Sequence, residues 1–389
     1  MQSEFTLPTP MIFRLRVNRL FDGLLDGYSS SVGRFLPAYQ FWLLVGVLSG
    51  IALGAVLARQ LELSVWVIGL MAAASLITSL GLALAVVSIT GRERLTNYHH
   101  QITAVCASGM VLALLDQPVR VYLDLFVLGF GMIVVFGRLG CLQAGCCHGR
   151  PHVCGVRYHD GTGHHVLHRY GHTRLFPVQA LESAWVLLVV IGGVALILAG
   201  NPSGSAFSWY VLLYAAGRFA IEYLRGDMGR PYYRGLSEPQ WTSLALTVMM
   251  FSAGLAGMLP LHAGYPLALA LVAAAMLAAR ALDPLKPRDL VDLVGCITLA
   301  ASVAEAHTRL GSSGENIAVL RTEQGLRVSA GMLAGTEGSV LQFTISHTTG
   351  RLAARDIRRV SALVRHYHPG EQTLIPGNHG VTHLLVRGV

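Results

Sequence analysis

The sequence has few charged residues for its length. Only 13% of its 389 residues are Asp, Glu, Lys or Arg, whereas soluble domains usually carry about 25%. The hydrophobic share is 53%, and the mean hydropathy is +0.53. Much of the chain is therefore not in contact with water, which excludes an ordinary soluble protein and indicates an integral membrane protein.

Features of secreted and nucleic-acid-binding proteins are also missing. The amino-terminal stretch has no apolar core followed by a small-residue cleavage site, so it does not read as a cleavable signal peptide. Six cysteines are too few and too clustered for a disulfide scaffold. The net charge of +8 is dispersed over short loops and forms no stripe, so anionic lipid is a better partner than nucleic acid.

What the sequence does contain is a series of apolar segments near the length that crosses about 30 Å of hydrocarbon. We therefore predict an all-α polytopic membrane protein with seven or eight transmembrane helices, eight being the preferred count. Six segments are clear: Phe41–Ala58, Val65–Val87, Val178–Leu198, Trp209–Leu224, Trp241–Met258 and Tyr265–Ala279. Two are shorter or less purely apolar: Ile102–Leu115 and Val121–Val135.

Composition divides the chain into three parts. Residues 1–38 form a basic leader, of which 11–25 is either an interfacial helix on anionic headgroups or an unstructured stretch. Residues 39–283 form the membrane domain, interrupted by a polar loop at 147–174. Residues 285–389 are predicted to form a small soluble α/β domain. Its predicted helices are Asp289–Arg309 and Ala353–His366, and its predicted strands are Ile317–Arg321, Leu326–Ala330, Val340–Ser346 and Val381–Val386.

The first motif with chemical potential follows the apolar segment that ends at Val135. Four glycines there permit close approach of the backbone to a helix or a ligand: Gly137, Gly140, Gly145 and Gly149. Arg138 lies at the membrane end of the segment, where a charge is costly unless it is paired or functional. Its planar guanidinium suits phosphate oxygens. The alternative is an arginine that only extends to the interface.

The second motif is a polar stripe in an apolar helix. Tyr214, Arg218, Glu222 and Arg225 are spaced by four, four and three residues, so they are predicted to share one helical face. Ionisable residues inside a membrane indicate function by default. One carboxylate between two arginines leaves a positive charge that a lipid phosphate would neutralise. The alternative is a structural clamp between helices.

Two further sets of polar residues open apolar segments. His99 and His100 begin the third segment, where a histidine can accept a proton near neutral pH or bind a headgroup. Gln179 and Glu182 begin the fifth segment and are three residues apart, on one face. Glu182 needs a cationic partner, and Arg138 is the candidate.

These motifs carry a resemblance. The Gly-Arg-Leu-Gly run at 137–140, with Gly145 and Gly149, resembles the signature of the prolipoprotein diacylglyceryl transferase family. Segment 176–182 is similar to its His-Pro-x-Gln-Leu-Tyr-Glu motif, 218–225 to its Arg-Phe-x-x-Glu-x-x-Arg helix and 235–240 to its Gly-Leu-Ser-x-x-Gln turn. The four motifs occur in family order and cover residues 39–260.

The resemblance implies an enzyme of lipoprotein biosynthesis in the bacterial cytoplasmic (inner) membrane. Such enzymes move a diacylglyceryl group from phosphatidylglycerol to a prolipoprotein cysteine and release glycerol phosphate. The arginines would hold the phosphate, the glutamates would orient them, and His99 would accept the thiol proton. The implied catalytic residues are His99, Arg138, Arg218 and Glu222; the implied substrate-binding residues are Arg225, Gln179, Glu182, Tyr214, Gly137, Gly140, Gly145 and Gly149; further candidates are His100, Cys146, Cys147 and His148.

The chain also departs from the family pattern. Cys141, Ala144 and Cys146 stand where the family has Asn, Asn and Glu, and His100 and Gln101 replace the glycines after the family histidine. The arginines are kept, so the lipid donor is better supported than the prolipoprotein acceptor. The alternatives are another acceptor for the same donor, or a non-catalytic protein that binds or senses anionic lipid. A transporter is a weaker alternative, since no internal repeat is visible.

The loop that contains Cys146, Cys147 and His148 continues with Cys154 and six more histidines. Their spacing matches no standard zinc template, and we predict neither a metal nor a cofactor. A bound metal, a Cys147–Cys154 disulfide, a lipid-carrying cysteine nucleophile and simple packing of a glycine-rich turn all stay open. Loop charges would place the active face in the cytoplasm by the positive-inside rule, whereas the family resemblance implies an outward face.

Overall fold

A computed structural model describes most of the chain. The described residues are 17–23, 25, 37–91, 95–158, 174–226, 232–282, 293, 295–301, 303–304, 319–322, 325–335, 338–350, 352–368 and 370–387. Long helices form most of the amino-terminal part of the described chain, and a β-sheet forms most of its carboxyl-terminal part. The long helices are α1 Ala38–Gln60, α2 Val65–Thr90, α3 Asn97–Leu114, α4 Val119–Ala144, α5 Val178–Leu198, α6 Ser205–Glu222, α7 Glu238–Leu255 and α8 Gly264–Leu282.

Each of the eight predicted apolar segments overlaps one of these helices. Four of the helices, α1, α2, α4 and α5, are long and apolar enough to cross a membrane. The other four are shorter or more polar, so the count of seven or eight spans stays a prediction. The segment predicted at Val178–Leu198 coincides with α5.

Helix α4 lies at the centre of the helical domain. Of its most apolar stretch, 56% is buried, against 6% for α2, which faces outward along most of its length. Helices α1, α5 and α6 all pack against α4. A glycine stripe on α1, which includes Gly46 and Gly50, brings the two backbones close, because a Cβ at Gly50 would overlap the backbone of Gly129 on α4. This central helix carries Arg138 near its carboxyl end.

A tight hairpin positions the start of α7. Strand β2 (Tyr232–Tyr233) pairs with β3 (Leu236–Ser237) in antiparallel register. The two residues between them, Arg234 and Gly235, both have positive φ, as a two-residue hairpin turn of type I′ requires. The Ser237 amide then donates to the Gln240 side-chain oxygen at 3.0 Å at the start of α7. The polar motif at 235–240 is thus a turn and a helix cap.

The base of the polar loop is ordered into short backbone pairings. Strand β1 (Pro151–Val156) bridges to Leu175 through Val156. Gly149 bridges to Arg225, and the Gly226 amide donates to the His148 carbonyl at 3.0 Å. These pairings join the end of α4, the start of α5 and the end of α6. The loop residues 159–173, with five of the histidines, lie outside the described residues.

The described part of the leader docks on this loop base. Residues 17–23 are helical, which agrees with the first of the two alternatives for 11–25, although contact with headgroups stays a prediction. Asp22 forms an ion pair with Arg174 at 2.7 Å, and Asn18 accepts a hydrogen bond from the Gly155 amide at 2.9 Å. Leu25 is buried against Leu142 and neighbouring loop residues.

The carboxyl-terminal region contains an antiparallel sheet of five strands with the order β4-β5-β6-β8-β7. The prediction of an α/β arrangement was wrong in that every pairing among the described strands is antiparallel, which makes this region α+β. One strand, Glu371–Pro376, was missed, because it is mostly exposed and lacks an apolar run. The elements are β4 Leu320–Arg321, β5 Leu326–Gly335, β6 Gly338–His347, α9 Ala354–Tyr367, β7 Glu371–Pro376 and β8 Thr382–Arg387.

The predicted helix at 289–309 is described only in part. Residue 293 and residues 295–301 and 303–304 are helical, and the rest lie outside the described residues. Leu293 and Ile297 are buried in the same core as Val328 of β5 and Val360 of α9. This core shares no residue with the core of the long helices.

Candidate active site

Glu182 is the shared partner of three arginines from three parts of the chain. Its Oε1 lies 2.8 Å from Arg138 Nη2 and 3.8 Å from Arg218 Nε, and its Oε2 lies 3.9 Å from Arg225 Nη1. Glu182 is 1% exposed. The predicted Arg138–Glu182 pair is therefore confirmed, and the alternative of an interfacial Arg138 reaching for solvent is wrong, since Arg138 is itself buried.

A second carboxylate completes the cluster. Arg218 Nη1 lies 2.5 Å from Glu222 Oε2, one helical turn along α6. Three guanidinium groups and two carboxylates leave one positive charge in a buried site. A buried excess charge is costly unless something neutralises it. We refer to Arg138, Glu182, Arg218, Glu222 and Arg225 as the arginine cluster.

Arg225 reaches this cluster by a route that the sequence pattern did not predict. The prediction that it continues the helical face of Arg218 and Glu222 was wrong, because α6 ends at Glu222. Arg225 lies in the following turn, where its backbone bridges to Gly149. The backbone pairing with Gly149 therefore holds Arg225 beside Glu182, just beyond the end of α6.

The ion pairs in the cluster leave bonding capacity unused. Within the described part of the chain, neither carboxylate oxygen of Glu182 takes part in an aligned hydrogen bond, and Arg218 Nη1 donates none. Glu182 thus holds its arginine partners by charge at ion-pair distance. An oxyanion placed beside Arg218 Nη1 would receive a hydrogen bond as well as charge.

Tyr214, on α6 one turn before Arg218, belongs to a buried aromatic group. Its ring stacks on Tyr210 at 5.7 Å between centroids and meets Tyr98 edge-on at 5.5 Å. The Asn97 amide donates to the Tyr214 hydroxyl at 2.8 Å. Tyr214 therefore ties α3 to α6 beside the arginine cluster.

His99 lies at the start of α3 and takes part in a helix cap. Its Nδ1 accepts the Thr96 amide at 3.0 Å, which leaves the proton on Nε2. Nε2 lies 3.5 Å from Glu238 Oε1 at the start of α7. The contacts that the structure gives for His99 do not include the described arginines, so it is not brought into the cluster. His100 is half-buried beside it.

Gln179 is buried and holds the backbone near the cluster. Its side-chain amide donates to the Cys146 carbonyl at 2.8 Å. This contact fastens the turn after α4 to the start of α5. One helical turn later on α5, Glu182 faces the arginines, as the three-residue spacing predicted.

The four glycines of the first motif have different roles. A Cβ at Gly140 would come within 3.1 Å of the Tyr39 backbone on α1, and one at Gly149 would overlap the Phe176 carbonyl. Gly145 ends α4 with a φ of 75°. A Cβ at Gly137 would meet nothing within 4 Å. Helix packing, a turn and the loop base thus explain Gly140, Gly145 and Gly149 in that order, and of the four only Gly137 borders open space.

Cys146 and Cys147 lie immediately after this turn, together with Cys141 of α4. The three sulfur atoms lie within 4.8 Å of one another. All six cysteines are free, so the Cys147–Cys154 disulfide is not present. Hydrogen bonds from the two neighbouring thiols, with the charges of Arg225 and Arg138, hold the pKa of Cys147 well below its usual value.

Three contributors to the site were missed by the sequence reasoning. Asn97 contacts Tyr214, and Glu238 contacts His99. The Tyr158 hydroxyl donates to the Leu142 carbonyl at 2.8 Å and so fixes the end of α4. Glu238 lies within the motif at 235–240, so that motif could have indicated that Glu238 belongs to the site. His148, a further candidate, has its Nδ1 3.0 Å from the Gly149 carbonyl.

The helical part of the chain matches a known protein family. The model of the family described as prolipoprotein diacylglyceryl transferase matches residues 38–258, which contain the whole arginine cluster. A phosphatidylglycerol–prolipoprotein diacylglyceryl transferase of Clostridium tetani is 34% identical over 124 residues, 31% of this chain and 47% of the relative. The enzyme of that name numbered 2 in Clostridium perfringens is 34% identical over 109 residues, 27% of this chain and 40% of the relative.

A third relative, the phosphatidylglycerol–prolipoprotein diacylglyceryl transferase of Dehalococcoides mccartyi, is 31% identical over 131 residues. These cover 32% of this chain and 46% of the relative. The chain thus spans less than half the length of these three relatives in the matched stretches.

Proposed function

The chain belongs to the prolipoprotein diacylglyceryl transferase family, and we propose that it transfers a diacylglyceryl group from phosphatidylglycerol to a thiol. The observation that carries this proposal is the convergence of three buried arginines on Glu182. A phosphodiester bears one negative charge, which equals the excess positive charge of the cluster. The lipid donor is therefore the ligand that best completes this site.

The arginine cluster acts on the leaving group. The thiol sulfur attacks the glyceryl carbon that bears the phosphodiester oxygen, and a C–S bond forms as the C–O bond breaks. The electron pair departs with the glycerol phosphate oxygen, where Arg138, Arg218 and Arg225 stabilise the new charge. Because the site is buried, these interactions are stronger than they would be in water. Glu182 and Glu222 orient the guanidinium groups.

The thiol proton needs an acceptor, and His99 is the proposed base by family resemblance. Both nitrogens of His99 are occupied in this structure, Nδ1 by the Thr96 amide and Nε2 facing Glu238. His99 therefore acts as a base only if the acceptor segment displaces the Thr96 amide from Nδ1, the ring nitrogen that carries no proton. The proposed acceptor is the cysteine of a prolipoprotein, a substrate that the names of the relatives give.

The proposed setting is the bacterial inner membrane, with all eight long helices spanning it. The four helices of smaller hydropathy or length are α3, α6, α7 and α8, and α6 carries two of the five cluster residues. Polar residues on a spanning helix reduce its mean hydropathy without preventing insertion, provided that they face the bundle interior. Both ends of an eight-span domain lie on one side of the membrane.

To test the proposal, the purified full chain is incubated with headgroup-labelled phosphatidylglycerol and a peptide that carries a prolipoprotein acceptor cysteine. The release of labelled glycerol phosphate is then measured. Arg218→Ala is expected to lower release by about 10²–10³-fold, the usual effect of removing one charge-stabilising donor. Bound phosphatidylglycerol with no release in the wild type would overturn the transferase and leave a lipid-binding protein.

Arg120→Ala is the matched control. Arg120 is an exposed arginine near the amino end of α4, whereas Arg138 is near the other end of the same helix. This variant loses the same charge without touching the cluster and is expected to release glycerol phosphate at the wild-type rate. An equal loss in Arg120→Ala and Arg218→Ala would mean that general surface charge, and not the cluster, drives the reaction.

A further inference from the structure

Three thiols gather at the end of α4, beside the arginine cluster. The sulfur atoms of Cys141, Cys146 and Cys147 all lie within 4.8 Å of one another. A tetrahedral zinc ion with Zn–S bonds of about 2.3 Å places its sulfur ligands about 3.8 Å apart. The three sulfurs are therefore already near the spacing of metal ligands.

The backbone is built to hold this arrangement. Gly145 and Cys147 both have positive φ, 75° and 54°. A cysteine in that conformation is strained, and such strain persists only where the surroundings impose it. The Gln179 amide fixes the intervening turn through the Cys146 carbonyl at 2.8 Å. The thiols are thus gathered by the fold and not by chance proximity in a loose loop.

The donor set selects the ion by chemistry. Soft thiolates favour zinc and similar thiophilic ions, whereas magnesium and calcium prefer oxygen ligands.

We propose that Cys141, Cys146 and Cys147 bind a thiophilic divalent cation of the zinc class, with a fourth coordination position open to an acceptor thiol. Across the residues that the structure describes, no fourth His, Cys, Asp or Glu joins the three. Three protein ligands and one open position are the pattern of catalytic zinc sites, whereas structural sites have four protein ligands. Cys146 is exposed, so the open position is reachable from outside.

This site would supply the nucleophile for the proposed transfer, and that part of the inference rests on the proposed function. When the acceptor thiol binds the ion, its S–H bond is replaced by an S–metal bond and the proton passes to His99, the proposed base of the transfer. A metal-bound thiol is deprotonated outright. The thiolate then lies beside the arginines that hold the phosphate. Neither the binding of the ion nor the binding of a thiol to it depends on turnover.

The first test measures metal binding by the reduced, full-length chain in detergent. Titration with Co²⁺ alone is expected to give one ion per chain and a thiolate-to-cobalt charge-transfer band. Cys147→Ser and Cys146→Ser are expected to weaken binding by more than tenfold, and Cys146 is exposed enough for that variant to fold. Cys106→Ser, which changes an exposed cysteine on α3, is the matched control and is expected to bind as the wild type does.

Absence of the band in the wild type, or equal binding by the wild type and both cluster variants, would overturn the metal site. The second test adds a peptide with a single cysteine to the cobalt-loaded chain. A shift of the charge-transfer band, absent with the serine version of the peptide, is expected from a fourth thiolate. No shift would overturn the open position. Cobalt binding in a chain that releases no glycerol phosphate would count against the proposed transfer alone.

Discussion

At the scale of single residues, Glu182 organises the site. A buried carboxylate shared by three guanidinium groups does more than balance charge, because it draws arginines from three parts of the chain to one place. Buried ion pairs contribute little net stability when intact, yet removing one partner is costly since it leaves the other charge uncompensated. Glu182 is therefore a positioning residue whose loss affects both folding and lipid binding.

Glu182→Gln is expected to lower the free energy of unfolding by about 3–5 kcal/mol, the usual cost of breaking a buried ion pair. Phosphatidylglycerol is expected to raise the unfolding temperature of this variant by more than that of the wild type, since the phosphate replaces the lost charge. Thermal unfolding in detergent, with and without the lipid, measures both effects.

Glu238→Gln is the control for that measurement. Glu238 is 37% exposed in its side chain, and its contact among the described residues is with the exposed His99, so its loss is expected to cost less than about 1 kcal/mol. If the two variants unfold at the same temperature, Glu182 does not organise the cluster.

His99 combines a structural contact with a proposed chemical one, and two variants separate them. Thr96→Ala and His99→Ala both break the reciprocal cap of α3, at a cost of about 1 kcal/mol each. Only His99→Ala is expected to lower kcat as well, with phosphatidylglycerol binding unchanged. Equal kcat values in the two variants would assign His99 to the cap and remove it from the chemistry.

Some of this residue-level account was predictable from the sequence. The Arg138–Glu182 pair followed from the cost of a lone charge in an apolar segment. The cysteine cluster did not, because Cys141 is in a helix and Cys147 owes its direction to a left-handed backbone conformation, which residue spacing alone does not reveal.

At the scale of elements, the helices owe their arrangement to small residues. Gly46, Gly50 and Gly54 recur every fourth residue on α1 and are all buried. Membrane helices gain no hydrophobic advantage from leaving lipid, so close packing at such small residues drives their association. Contact between α1 and α4 in turn places Gly140 against Tyr39, next to Arg138.

Gly50→Ala is expected to destabilise the chain, because its Cβ would overlap the backbone of Gly129. Overpacking of this kind typically costs about 1–3 kcal/mol. Gly69→Ala, on α2, is the control, since a Cβ there meets nothing within 4 Å. Both variants gain helix propensity when glycine becomes alanine, but only Gly50→Ala introduces an overlap. Gly69→Ala is therefore expected to unfold at or above the wild-type temperature. Equal effects in the two variants would contradict close α1–α4 packing.

The element boundary that was predicted wrongly has a physical explanation. Apolar periodicity runs through Arg225, but α6 ends at Glu222 because the following backbone pairs with Gly149 across the loop base. That pairing joins residues distant in sequence, and no local pattern encodes it. The face shared by Tyr214, Arg218 and Glu222 was predictable since it depends on helical spacing alone.

At the scale of the whole molecule, composition predicts where the apolar part of the chain ends. Apolar segments end near residue 283, and the region beyond has its own core of residues such as Val328 and Phe343. The strand order of that region was not readable, because the pairing of β6 with β8 skips β7. The membrane domain, in contrast, is built from sequential helices, whose positions depend mainly on local hydropathy.

The most direct test of the central claim is the mass of the acceptor. The purified chain would be incubated with phosphatidylglycerol of defined acyl chains and a peptide with a prolipoprotein acceptor cysteine. The intact mass of the peptide would then be measured by mass spectrometry. We expect the peptide to gain one diacylglyceryl group at its cysteine, with none gained by the serine version. Release of glycerol phosphate while the cysteine peptide stays unmodified would contradict a thiol as the acceptor.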